Sequence, residues 1–283
     1  MQATSHSADH RSLFSWGVRT YVMGIINLSP DSFSGDGLSS AEAAANQAAR
    51  MVAEGADIID IGGESTRPGA SPVSAEEEIN RIVPVITRLR REYRAPISVD
   101  TYKYDVACAA VAAGANILNS VKSPAEDMRL ALLATKHRLP IIVTANQRGK
   151  SVSGDIMAEV ISDLRHALRC NAEAGVPAEN IMVDPGIGFG KTTAQNLDII
   201  RRLEELRVLG RPILLGPSRK SFIGLTLGLS EEERLEGTAA AVALGIAHGA
   251  DIVRVHDVKE MVRVARMSDA IVRNQARLNS ELE

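Results

Sequence analysis

Asn27, Asp60, Asp100, Asn119, Thr144 and Asp184 each lie at or near the end of a short apolar run, and Arg254 and His256 sit at the end of the last one. Ser218 follows another run. Carboxylates at Asp100 and Asp184 with the amide of Asn119 suit a flat heterocycle that carries N–H donors and ring nitrogens, because each can hold one edge of the ring. Arg254 and His256 can donate to phosphate oxygens, the arginine bidentately. Asn27 offers a neutral amide oxygen for Mg²⁺, an ion that needs few protein ligands when phosphates fill its other positions. The set predicts a polar heterocycle joined to a phosphate group. Helix capping accounts for Ser, Thr, Asn and Asp at such places. It does not account for Arg254, His256 or Lys220.

The runs that carry these residues span 21–27, 57–62, 96–100, 116–120, 140–144, 180–184, 212–216 and 251–255. All are rich in Val, Ile and Leu, as expected of parallel strands buried on both faces. Helical patterns fill the intervals near 40–54, 76–94, 103–113, 125–138, 157–174, 193–209, 232–248 and 258–275. The joints "EGADIID", "AGANILN" and "HGADIVR" repeat one theme, a glycine that ends a helix just before a strand. Alternation of this kind means a parallel sheet, and eight units over about 250 residues suit a closed (β/α)₈ TIM barrel in one domain. An open doubly wound sheet would carry a Gly-rich phosphate turn after its first strand. Here that strand leads to "NLSPDSFSGDG", which lacks G-x-G-x-x-G. The barrel is assigned to residues 20–283, with 1–19 as a loose tail or plug. In a barrel the strand ends meet at one face, where active sites of this fold lie.

Two loops, 29–37 and 62–74, are long for this architecture and read as binding lids. The second carries Thr66, Arg67 and Pro68. Other motifs fail on spacing. "GIGFGKT" would need glycine at Pro185 to be a phosphate loop, and "GPSRK" has Lys220 where a nucleophile elbow needs glycine. No HExxH or paired CxxC is present, so no zinc site is expected. The net charge of −3, from 32 basic and 35 acidic residues, argues against a broad nucleic-acid surface. Cys108 and Cys170 have no metal-type spacing and read as small buried hydrophobes in a reducing cytoplasm. No apolar run is long enough to span a bilayer.

"MGIINLSPDSFS", "DIGGESTRPG", "SVDTYK", "DPGIGFGKT", "SRKSFIG" and "RVHDV" occur in that order. Over roughly residues 20–275 the chain resembles the dihydropteroate synthases, a family of pterin-binding barrels. The resemblance implies a homodimeric, Mg²⁺-assisted transferase that joins a pterin pyrophosphate to p-aminobenzoate. By the same resemblance, Asp100, Asn119, Asp184, Lys220 and Arg254 bind the pterin. Arg254, His256 and Asn27 hold the pyrophosphate, with Asn27 on the metal, and Thr66, Arg67, Pro68 and Ser221 line the p-aminobenzoate side. Lys220, Arg254, His256 and Asp100 are the residues expected to carry catalysis.

Two segments depart from the family pattern. "NSVKS" places Ser120 where the family has an acid, with Lys122 nearby, and Thr144 and Ala145 replace a Met-His pair. The expectation is a ring site with less negative charge at Ser120 and a smaller, more polar wall at Thr144. Each change would cost on the order of 1–3 kcal/mol if it left buried groups unpaired. These changes motivate a second reading, a pterin-binding paralogue with weak or no synthase activity. The Asn119-Ser120 pair also resembles the methyltetrahydrofolate barrels of corrinoid methyltransferases, a third reading that rests on fold analogy.

Overall fold

The computed structural model describes residues 14–28, 40–65, 71–121, 127–150 and 154–273. Eight parallel strands form one sheet: β1 (Tyr21–Asn27), β2 (Ile58–Gly62), β3 (Ile97–Asp100), β4 (Ile117–Ser120), β5 (Ile141–Thr144), β6 (Ile181–Asp184), β7 (Leu214–Leu215) and β8 (Ile252–Val255). The order is β6-β5-β4-β3-β2-β1-β8-β7. A bridge between Val183 and Ile213 joins the two outer strands, and the Val183 N–H donates to the Pro212 carbonyl at 2.9 Å. The sheet therefore closes on itself, and the expected (β/α)₈ barrel is the observed one.

Side-chain alternation along each strand divides the core into two. Val22, Ile59, Ile61, Val99, Leu118, Val143, Val183 and Val253 face outward into a layer shared with the helices. Tyr21, Met23, Ile58, Ile117, Ile142, Met182, Leu214 and Ile252 face inward and fill the barrel. β3 adds Ser98 to this interior, in register with Asp60 on one side and Ile117 on the other. Burying each large inner side chain contributes roughly 1.5–3 kcal/mol, so the barrel is a packed core and not a pore. Phe14 and Trp16 pack on this inner cluster beside Tyr21, at the end where the strands begin. Residues 1–13 of the expected tail lie outside the described residues.

The helices are α1 (Ser40–Ala53), α2 (Ala75–Glu92), α3 (Tyr104–Ala113), α4 (Arg129–His137), α5 (Ile156–Glu173), α6 (Thr193–Arg201), α7 (Ser221–Leu227), α8 (Leu235–Ala247) and α9 (Val258–Val272). Two differ from expectation. The helix expected over 193–209 stops at Arg201, and a 3₁₀ segment, Leu203–Leu209, completes it. Leu203, Leu206 and Leu209 are all buried, and their spacing of three fits the three-residue turn of the tighter helix. The short α7 was not expected, because seven residues are too few to display a helical period. Gly228 ends it in the left-handed conformation.

Candidate active site

Inward-facing residues above the apolar core become polar at the C-terminal ends of the strands. Asp60 on β2 is wholly buried. Its Oδ2 accepts from Arg254 Nε at 2.6 Å and from Asn119 Nδ2 at 3.2 Å. Arg254 Nη2 donates to Asp100 Oδ2 at 2.7 Å. Arg254 thus ties β8 to β2 and β3 across the mouth of the barrel. Burial pushes the Asp100 carboxyl up from its ordinary range, against the pull of Arg254. Burial also opposes charge on Arg254, but Asp60 and Asp100 outweigh it and raise its pKa. The guanidinium spends two of its five N–H groups on carboxylates, which leaves three for a ligand.

The opposite wall is built by β6 and β7. Asp184 ends β6, and its Oδ1 accepts the Gly186 N–H at 2.8 Å. Burial raises its pKa while Lys220 pulls the other way. Lys220 stands at the start of α7 with its Nζ donating to the Ile187 carbonyl and lying 5.1 Å from the Phe189 ring centre. Burial lowers the Lys220 pKa to about 8, although Asp184 and Asp100 favour its charged form. A Cβ at Gly216 would lie 3.7 Å from Arg254 Cβ and 3.9 Å from Lys220 Nζ. Asp100 and Asp184 therefore share one mouth with Arg254 and Lys220, the placement that the strand-end pattern predicts.

His256 follows β8, and Ser218 fixes it twice. The Ser218 hydroxyl accepts the His256 backbone N–H at 3.1 Å and lies 3.0 Å from Nδ1. A Ser218 hydroxyl that donates to Nδ1 would set the tautomer with Nε2 as the N–H donor. Next to Ser218, Arg219 is left-handed at φ 55°, and its guanidinium pairs with Asp257, which ties the turn after β7 to the segment after β8. Ser221 is exposed at the first position of α7. Thr66, Arg67 and Pro68 lie outside the described residues, as does Lys122.

Asn27 is half-buried at the end of β1. A Cβ on its register partner Gly62 would come 3.8 Å from the Asn27 Oδ1 and 3.6 Å from the Asp100 Cβ, so this glycine keeps space open beside the amide. Among the described residues no group of three or more His, Cys, Asp or Glu side chains could hold a metal ion. The Asn27 Oδ1 beside that space is a single neutral oxygen, a donor suited to an ion that takes its other ligands from phosphate and water.

Sequence reasoning passed over three contributors. Asp60 was noted as a polar strand residue but given no role. Its signal was a carboxylate in the middle of an apolar strand, which must be paired to be buried. Phe189 supports two cations, with Arg148 Cζ 4.6 Å from its ring centre on top of Lys220. Lys191 donates to the carbonyls of Ala145 (3.1 Å), Gly186 (2.8 Å) and Phe189 (3.3 Å), and so pins the loop after β5 to the loop after β6. The two loops pass so closely at Gly186 that a Cβ there would stand 1.9 Å from the Ala145 oxygen. That position, at φ 70°, requires glycine.

The three departures do not act together. Ser120 follows Asn119, so strand alternation turns it outward, where it lines a small cavity with Leu130, Ala131, Ile141 and Val143 behind the sheet. This corrects the expectation that Ser120 changes the charge around the ring. It also removes the Asn119-Ser120 pair as a shared site feature, since the two side chains face opposite ways. Ala145 belongs to the outer apolar layer. Thr144 alone faces the interior, two residues beyond Ile142.

The stem of the loop after β2 is clamped by Lys103. Its ammonium donates to Glu64, to the Val73 carbonyl at 2.5 Å and to Glu78 at 2.7 Å, and Tyr102 donates to Glu64 at 2.8 Å. Glu78 is almost fully buried, so Lys103→Met strands a buried carboxylate. The expected loss is about 2–3 kcal/mol, below the range for a fully buried pair because Lys103 is partly exposed. Urea unfolding measures it, and an unchanged midpoint would show that the clamp carries no stability.

Comparison with known proteins decides the family. The profile described as pterin binding enzyme matches residues 23–256. The chain belongs to the dihydropteroate synthase family of pterin binding enzymes. It is 49% identical to the dihydropteroate synthase of Bacillus subtilis over 262 residues, 92% of each chain. It is 48% identical to that of Clostridium beijerinckii, covering 92% of this chain and 97% of the relative. The dihydropteroate synthase from Clostridium difficile, solved in the presence of pteroic acid, superposes with a TM-score of 0.89 at 48% identity, over 92% of this chain and 99% of that one. The Xanthomonas albilineans enzyme in complex with 7,8-dihydropteroate superposes at 0.83 with 38% identity, over 91% and 95%.

Proposed function

We propose that this chain is a dihydropteroate synthase: it condenses 6-hydroxymethyl-7,8-dihydropterin pyrophosphate with p-aminobenzoate to give dihydropteroate and pyrophosphate, a step of folate biosynthesis. The observation that carries this reading is the placement of Arg254. It stands between the carboxylates of the ring slot and the side where His256 and Asn27 end their strands.

The reaction breaks the bond from the pterin methylene carbon to a pyrophosphate oxygen and forms a bond from that carbon to the arylamine nitrogen. Positive charge develops on the ring and methylene as the leaving group departs. Asp60, Asp100 and Asp184 supply negative potential around that charge. Asn119 and Lys220 fix the ring's polar edge. Arg254 spends its remaining N–H groups on the departing pyrophosphate, with His256 Nε2 beside it. Asn27 would hold Mg²⁺, which when bound neutralises leaving-group charge. The attacking nitrogen becomes strongly acidic once bonded to carbon, so its proton leaves without a dedicated base.

Lys220 gives this reading a pH signature. It holds the ring as an ammonium, and its lowered pKa means that it loses the proton as pH rises through about 8. The value of kcat/KM for the pterin substrate falls over that range. Lys220→Arg stays protonated and moves the alkaline limb upward, whatever it does to the absolute rate. A wild-type profile flat to pH 9.5 would remove Lys220 from this role. Failure of the folded protein to form dihydropteroate with both substrates and Mg²⁺ present would sink the whole reading.

A homodimer follows from the same reading. Exposed Leu225 and Leu227 on α7, Leu244 on α8 and Met267 and Ile271 on α9 lie on neighbouring helices, an apolar surface suited to a second copy. Among the described residues no helix is long and apolar enough to cross a membrane. Both cysteines are unpaired, in keeping with a cytoplasmic enzyme.

A further inference from the structure

The segment "GIGFGKT" fails as a phosphate loop by one residue, yet its lysine is fully engaged. Gly186 to Phe189 make a tight turn after β6, closed by the Phe189 N–H on the Gly186 carbonyl at 3.1 Å. Lys191 Nζ grips both ends of that turn, at the Gly186 carbonyl (2.8 Å) and the Phe189 carbonyl (3.3 Å). Its third bond crosses to the Ala145 carbonyl at 3.1 Å, in the loop after β5. An ammonium has three N–H groups and no lone pair, so three carbonyls match it one for one. Burial lowers the Lys191 pKa to about 7, with Lys220 and Lys150 adding to the fall and Asp184 and Asp163 opposing it. The three-donor form therefore predominates below that pH.

The turn matters because of what rests on it. Its Gly186 N–H donates to Asp184 Oδ1 at 2.8 Å. Its Ile187 carbonyl accepts from Lys220 Nζ, and its Phe189 ring centre lies 5.1 Å from the same nitrogen. A turn that shifts therefore carries the seat of Lys220 with it. Farther along, the Gly188 N–H donates to Asn196 Oδ1 at 2.7 Å, and Asn196 Nδ2 donates back to the Lys191 carbonyl at 3.2 Å. The backbone of Lys191 is thus held by α6 while its side chain holds the turn.

We propose that Lys191 is a positioning residue for the pterin site: its ammonium, bound to the carbonyls of Ala145, Gly186 and Phe189, sets the turn on which Lys220 rests and so sets the affinity for the ring. This rests on the dihydropteroate synthase reading of the same site. Lys191 acts through Lys220 and not on the substrate.

The test is a double-mutant cycle in the full chain, run below pH 7. Lys191→Met keeps the length of the side chain and removes its donors, and Lys220→Met removes the group that the turn places. Calorimetry with the pterin pyrophosphate and Mg²⁺ gives affinities, and thermal unfolding gives Tm. Lys191→Met is expected to bind the pterin about 10-fold to 100-fold more weakly, the scale of a misplaced binding group. In the Lys220→Met background the same change costs at most about threefold, because the group being placed has gone. Lys191→Arg keeps the charge and the donors and binds more tightly than Lys191→Met. Hydrogen exchange on the ligand-free proteins reads the turn itself: the segment 186–191 exchanges about tenfold faster in Lys191→Met, on the scale of one lost hydrogen bond. Wild-type affinity in Lys191→Met overturns the proposal, even with a lowered Tm, since the lysine would then serve stability alone. Equal losses in the methionine and arginine variants, equal losses with and without Lys220, or unchanged exchange of the segment also overturn it. If wild type itself fails to bind the pterin, the functional reading has failed, and that result is distinct from failure at Lys191.

Discussion

Arg254→Ala lowers kcat/KM for the pterin substrate by about 10³-fold, the scale seen when a preorganised donor to developing negative charge is removed. The loss combines two contacts, one to the leaving pyrophosphate and one to the face of the slot. The same substitution also costs stability. Arg254 is the counter-charge to Asp60, which has no exposed surface, and to Asp100. Removing it leaves buried carboxylates unpaired, at a cost of about 3–5 kcal/mol. A barrel with an ordinary stability of about 5–15 kcal/mol survives that at room temperature but melts earlier. Arg254→Lys separates the two roles. One ammonium restores most of the charge balance and hence most of the Tm. It cannot span Asp60 and Asp100 and still present a fork to phosphate, so turnover stays low. Near-normal kcat/KM in Arg254→Ala would show that the phosphate side has been misplaced. Full rescue by lysine would show that charge alone matters there.

The barrel was legible because burial on both faces leaves a strong mark. Apolar runs such as "PIIV" and "NIMV", alternating with helical patterns, read as strands enclosed on two sides, and in a closed barrel their polar ends fall together. Strand-end position identified Asp100, Asn119, Asp184, Arg254 and His256 for the same reason. Other features were hidden by physics that a linear reading weighs poorly. Asp60 lies inside its run, and its importance comes from β8, almost two hundred residues away in the chain. Lys191 stands in a segment that looks like a failed phosphate loop, and its three carbonyl partners come from two loops that meet only in the closed barrel. Ser120 could have been read correctly. Side chains on a strand alternate, so Asn119 and its successor cannot both face the ring, and the inward place belongs to the residue that bonds Asp60.

Asp60→Asn is expected to lower kcat/KM by about 10²-fold, through loss of the charge that aims Arg254. Asp60 Oδ2 accepts from both Arg254 and Asn119, which bond the same oxygen from β8 and β4. An amide of the same shape has one oxygen and a donor in place of the second. It can still accept from the guanidinium, but with less pull, and Arg254 shifts toward Asp100. Asn119 loses a charged acceptor at the same time, so the ring contact and the phosphate contact weaken together. KM for the pterin substrate therefore rises while kcat falls, and KM for p-aminobenzoate changes little. The decisive comparison is the double variant. In Arg254→Ala the Asp60 carboxylate is a buried charge with no counter-charge, held only by the Asn119 amide. Adding Asp60→Asn removes that charge, so the double variant is more stable than Arg254→Ala alone, by about 2 kcal/mol, while its turnover remains as low. Strict additivity of the two unfolding energies would mean that Asp60 and Arg254 do not act as a pair. The account of how this barrel holds its arginine would then have to be rebuilt around Asp100.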